Sequence, residues 1–193
     1  MVNADLVQVP LQIYTVSASW HGELTLPAVR RVSDLLNDNG HSFVVLDRVA
    51  RASYDRGDAE GMLLETVAIN KRTIIAVVSD QTPLRIEAAD RIPKTLHRVV
   101  IHAPPFGLMG NLHLPRSSQL FEVINSARHD FIPLTSAMMW WLDYSSMLST
   151  TSEFIAVNRQ WITALCPATE SPVASAALLQ PALLQNALPA EAQ

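Results

Sequence analysis

The side chains able to do chemistry are few and scattered. Six histidines are present: His21, His41, His97, His102, His113 and His129. No two have the His-x-x-x-His or His-Glu-x-x-His spacing that turns two imidazoles toward one metal ion. A hairpin could set His102 opposite His113, with Glu122 or Asp130 as a carboxylate third ligand; the other reading is histidines on a polar strand face. His41 and His129 each stand between a short helix and a strand, where an imidazole can meet the carbonyl end of the helix. Cys166, the single thiol, follows an apolar strand and has no cationic cluster beside it to stabilise a thiolate, so it reads as an inert structural residue. One cysteine also excludes an intrachain disulfide framework and an all-cysteine metal site. No serine stands in a Gly-x-Ser-x-Gly turn, and no glycine-rich loop suited to cradling phosphate occurs. Asp55, Asp58 and Glu60 cluster in RASYDRGDAEG, without the spacing or distal glutamate of a calcium loop. These residues point away from an enzyme, and no catalytic residue, metal ligand or cofactor is assigned.

Composition narrows the classes further. The 193 residues carry a formal charge of −4, which argues against a protein that wraps a phosphate backbone, so no nucleic acid is expected. The AVILMFWYC set makes up 49% of the chain and charged residues 17%, enough apolar surface for a packed core. The opening MVNADLVQVP has neither the basic nor the apolar region of a signal peptide, and no apolar run is long enough to span a bilayer as a helix. A cytoplasmic protein is the expectation.

The chain repeats itself. GELTLPAVRRVSDLLNDNGHSFVVL from Gly22 aligns without a gap on GNLHLPRSSQLFEVINSARHDFIPL from Gly110, an offset of 88 residues. Between Gly22 and Val77 that offset gives 14 identities in 56 positions, several-fold more than chance. The organisation expected is a first copy over 1–79, a linker over 80–96, a second copy over 97–166 and an Ala/Leu/Pro-rich tail over 167–193.

Within a copy, LQIYTVSAS alternates as a half-buried strand does, and a second strand runs to Pro27 or Pro115. A short helix follows, with Val32, Leu35 and Leu36 or Leu120, Val123 and Ile124 on one face. Three further β segments complete the unit. Asn70-Lys71 and Asn158-Arg159 fall where a tight turn between two strands would sit. The fold class expected is α+β: two tandem β-β-α-β-β-β units, each a small bent sheet or partly open barrel, related by a pseudo-two-fold axis. The pattern G-x-L-x-L-P, the short helix ending in asparagine, Phe131-Ile132-Pro133-Leu134-Thr135 and Phe154-Ile155-Ala156-Val157-Asn158-Arg159 resemble an uncharacterised bacterial family of small β-rich domains of unknown function. The first copy departs from it at Val45 and Thr66. The resemblance implies no activity. A weaker similarity is to Sm-like or SH3-like small barrels, at the level of strand order.

The copies differ most where ARASYDRGDAEGML in the first aligns with MMWWLDYSSMLSTT in the second. Met138, Met139, Trp140, Trp141, Leu142, Tyr144 and Met147 have the composition of an interface core. They read as a partner contact, with packing between the two copies as the competing reading. In the tail, Leu178, Leu179, Leu183, Leu184 and Leu188 could form one apolar stripe for docking or self-association, or fold back on the chain. The function expected is a non-catalytic interaction protein, a scaffold or accessory subunit or a homo-oligomer. A ligand- or nucleic-acid-binding small barrel is one alternative, and a metal-dependent enzyme using the second-copy histidines is the other.

Overall fold

The computed structural model describes residues 5–54, 62–79, 94–116, 118–126, 128–142 and 149–168. Alternation of apolar and polar residues drives the strands. In β1 (Leu6–Tyr14), Val9, Leu11 and Ile13 are buried while the residues between them are at least partly exposed. Then come β2 (Ala18–Pro27), the helix α1 (Val32–Leu36), β3 (Phe43–Ser53), β4 (Met62–Asn70), a 3₁₀ turn over Lys71–Thr73 and β5 (Ala76–Ser79). The second half runs β6 (Lys94–Ala103), β7 (Phe106–Pro115), α2 (Leu120–Ser126), β8 (Phe131–Trp141), β9 (Thr150–Asn158), a 3₁₀ turn over Arg159–Trp161 and β10 (Ala164–Pro167). From β2 and β7 onward, every strand of the second half begins and ends 88 residues after its counterpart.

The expected α+β fold of paired β-β-α-β-β-β units is overturned. The fold is mostly β: ten antiparallel strands form one continuous sheet, in the order β10-β6-β7-β8-β9-β5-β1-β2-β3-β4. The helices, of five and seven residues, are too short to make a layer of their own. Nor does the expected two-fold relation hold. The order 5-1-2-3-4 of the first half recurs in the same direction as 10-6-7-8-9, so the halves follow one another head to tail through β5 and β9. A two-fold axis would instead join like edge to like edge. The linker expected over 80–96 lies outside the described residues up to 93, and β6 already begins at Lys94.

Gly22 and Gly110, identical in the two copies, have a shared backbone reason. Each sits opposite two residues of the next strand: the register of β2 on β3 slips between His21 and Glu23, and that of β7 on β8 between Met109 and Asn111. A Cβ on Gly110 would lie 3.0 Å from the Cβ atoms of both Leu134 and Ala137. Arg48 and Ser136, at the bulges facing these glycines, adopt φ of 52° and 44°. A left-handed conformation costs an L-residue about 1–2 kcal/mol, partly offset for glycine by its looser unfolded chain. Ser136→Gly is therefore expected to stabilise the fold by about 0.5–1 kcal/mol, read from a thermal melt.

The two asparagines lie at equivalent tight turns between strands, as expected, but the turns are not of the hairpin kind. Asn70 and Asn158 do not close hairpins, since β4 and β9 do not pair with the strands that follow them. Each is instead the N-cap of a 3₁₀ turn, its side chain accepting from Arg72 N or Gln160 N, at a right-handed φ of −67° or −74°. Pro104 and Pro105 form the turn between β6 and β7, and Gly107 lies within β7.

Candidate functional site

The junction between the halves is built like the middle of a domain. β5 pairs with β1 on one side and with β9 on the other, in the register Ala76↔Val157, Val77↔Ala156, Val78↔Ile155 and Ser79↔Phe154. Side chains cross over. Phe131 and Ala156 of the second half join Val9, Leu36, Ile74 and Val77 in the core of the first. In return, Tyr14, Ile75, Ala76 and Val78 join the core of the second.

Two asparagines fasten the seam. The Asn37 side chain, at the end of α1, donates to Phe131 O at 3.0 Å and accepts from Phe131 N at 2.8 Å, a two-bond clamp between the halves. Asn158, 2% exposed, donates to Lys71 O and Ile74 O. Trp161 Nε1 donates to Arg72 O. At the end of α1, Lys71 Nζ donates to Leu35 O and Asp38 O. That satisfies the helix carbonyls expected to meet His41. His41 instead contacts the Asp38 carboxylate, which Arg30, Gly40 N and His41 together hold well below the usual carboxylate range.

Beside the seam lies a crevice of about 310 Å³, lined by Tyr14, Tyr54, Phe106, Trp140 and Trp141 with Gln12, Ser19 and Thr150. Its rings meet edge to face: Tyr54 lies 4.6 Å from Trp141 and Tyr14 5.3 Å from Phe106, between centroids. Burial pushes both tyrosine hydroxyls up, Tyr54 most, so they are neutral hydrogen-bonding groups rather than bases. Tyr14 Oη reaches Thr150 Oγ1 at 3.5 Å, whereas Tyr54 Oη has no partner among the described residues.

The expected contact residues divide. Trp140 is buried beside Val100 and Met109, with Met138 packed against them. Met139 is buried in the second-half core, Trp141 packs on Phe106 and Tyr54, and Leu142 is half-buried. Tyr144, Met147, Leu178, Leu179, Leu183, Leu184 and Leu188 lie outside the described residues. Both tryptophans thus pack within the chain. Trp140 lies directly across from Gly107, where a Cβ would come within 2.4 Å of its ring. The first copy has Ser19 opposite Ala52 at these positions. Large-over-nothing and small-over-small are two solutions to one packing problem, so the difference between the copies on β8 and β3 is matched on the facing strand.

His102 and His113 are not brought together. They pair with Gly107 and Leu96, far apart on one hairpin, and contact Thr163 and Thr135. No group of three His, Cys, Asp or Glu side chains among the described residues could hold a metal ion. No helix among them is long and apolar enough to cross a membrane.

The two ends of the sheet are what sequence reasoning missed. Among the described residues, β4 and β10 each pair on one side only. No family model matches this chain, and no significant match was found among curated proteins or solved structures.

Proposed function

We propose that the chain is a non-catalytic interaction protein, an assembly subunit that joins its partners by strand pairing at the free ends of its sheet. The observation that carries this reading is the pair of open edges. Among the described residues, β4 and β10 each pair on one side only, and Phe43, Val45 and Leu63 are exposed apolar side chains on β3 and β4 at one of these ends. Natural sheets commonly blunt such edges with charge, and β4 from Leu63 to Asn70 carries a single charged residue, Glu65.

Ala68→Lys tests the reading. Ala68 is exposed on β4, so the substitution adds a charge at the free edge and removes nothing from the core. Sedimentation and capture from native cells are expected to show association with any partner weakened at least tenfold, with an unchanged melting temperature. Association as strong as wild type would remove the edges from the function.

The aromatic crevice favours a second reading, binding of a small ring-bearing ligand, since its volume is at the low end of ligand sites. Titration with such compounds, followed by tryptophan fluorescence, separates it from the first.

A further inference from the structure

The free edges are more than unpaired: each is the counterpart of one side of the seam inside the molecule. β10 stands 88 residues after β5, and β4 stands 88 before β9. The internal seam is β5 on β9, so the two strands left over at opposite ends of the sheet are a second β5-like edge and a second β9-like edge. We infer that the chain assembles head to tail with further copies of itself, β10 of one copy pairing with β4 of the next in the register of the internal seam. The inference rests on the reading of the edges as attachment sites and names their occupant.

Much of the seam has a counterpart that is exposed or half-buried at the ends of the sheet. Phe131, 1% exposed where it enters the first-half core, corresponds to Phe43, 51% exposed at the start of β3. Ala156, fully buried in β9, corresponds to Ala68, exposed in β4. All four residues of β5 are buried, while those of β10 are exposed or half-buried. The asparagine clamp recurs: Asn125 at the end of α2 is exposed and corresponds to Asn37, whose amide holds the Phe131 peptide. The socket recurs as well. Leu36, Ile74 and Val77 share a buried cluster with Phe131, and Ile124, Ile162 and Leu165, their counterparts, are only partly buried against the second-half core. One docking step therefore covers Phe43 with Ile124, Ile162 and Leu165, sets Asn125 on the Phe43 peptide, and pairs the two edges.

The register follows by the same shift: Ala164 opposite Ile69, Leu165 opposite Ala68, Cys166 opposite Val67 and Pro167 opposite Thr66. Ala168 N donates to Arg98 O, so alternate residues of β10 turn their backbone groups toward β6 and leave those of Leu165 for the incoming strand. Pro167, lacking an N–H, ends the ladder where Ser79 continues it inside the molecule. Because the two edges differ, each added copy leaves one edge of each kind open. Such a contact closes into a ring if its rotation allows and otherwise grows as a filament.

The register supplies its own probe. Cys166 is the only cysteine in the chain and faces Val67 across a pair without direct hydrogen bonds, where Cα atoms lie about 4.5 Å apart, within disulfide reach. Val67→Cys, oxidised at micromolar concentration, is expected to give a ladder of disulfide-linked dimers, trimers and larger species that collapses to monomer in reductant. The ladder should be absent from Val67→Cys/Cys166→Ser. It should be at least tenfold weaker in Leu63→Cys, which is more exposed than Val67 but lies outside the pairing stretch. Phe43→Ala and Asn125→Ala, which leave the single chain folded, should each weaken wild-type sedimenting assemblies at least tenfold. Equal crosslinking by Leu63→Cys, or a folded wild-type chain that stays monomeric at all concentrations, would overturn head-to-tail assembly. If that monomeric chain still loses a different bound protein on Ala68→Lys, the edge reading stands and only the identity of the occupant falls.

Discussion

Phe131→Ala is expected to lower the stability of the chain by about 3–5 kcal/mol, the range for truncating a buried aromatic residue. Phe131 is one of the largest fully buried side chains, and its position makes the loss unusual. It comes from the second half and fills the core of the first, beside Leu36 and Ile74, while its peptide is held by Asn37. Truncation opens a cavity in the first half and loosens the seam at the same stroke. Phe43→Ala, the same substitution 88 residues earlier, removes a half-exposed ring and should shift the melt by no more than about 0.5 kcal/mol. Chemical unfolding of the two variants at low protein concentration provides the comparison. Equal losses would mean that the halves do not share a core at Phe131.

The second large effect is at the Gly107–Trp140 pair. Trp140→Ala should cost about 3–5 kcal/mol through lost burial against Val100 and Met109. Gly107→Ala should cost about 1–3 kcal/mol or more, because the new methyl would lie 2.4 Å from the indole and the ring must leave its place. The double variant Gly107→Ala/Trp140→Ala is expected to be more stable than the sum of the two losses by about 1–3 kcal/mol, since the clash vanishes with the ring. The first copy shows that small side chains on both strands are compatible with the fold, as Ser19 faces Ala52. A double-mutant cycle by denaturant unfolding measures the coupling, and strict additivity would show that the indole does not rest on Gly107.

Much of the framework was legible because it depends on local pattern. The alternation in β1, the prolines closing β2 and β7, and the ungapped offset of 88 residues place most of the strands, since a strand with one buried face must alternate, but LQIYTVSAS, read as one strand, spans the end of β1, the bend at 15–17 and the start of β2. Repeated residues could be found the same way, but their roles could not. Asn37 and Asn125 look alike in sequence, yet the first clamps a peptide 94 residues away and the second is exposed. The Trp140-Trp141 run has the composition of an interface, and composition does not distinguish a contact with another chain from a contact with the other half. The structure places Trp141 on Tyr54 and Trp140 over Gly107.

By itself the sequence determined that this protein is a duplicated, strand-rich chain, which elements recur, and that two glycines recur with them. Tertiary structure decided how the copies meet. Whether two repeats stack as separate sheets, face each other across a two-fold axis or continue one sheet depends on which edges pair. Edge pairing is a contact between backbone groups, which every residue but proline can make, so side-chain identity records it only faintly. The pairing of β5 with β9 turned ten strands into one sheet, and left β4 and β10 as its two unlike ends.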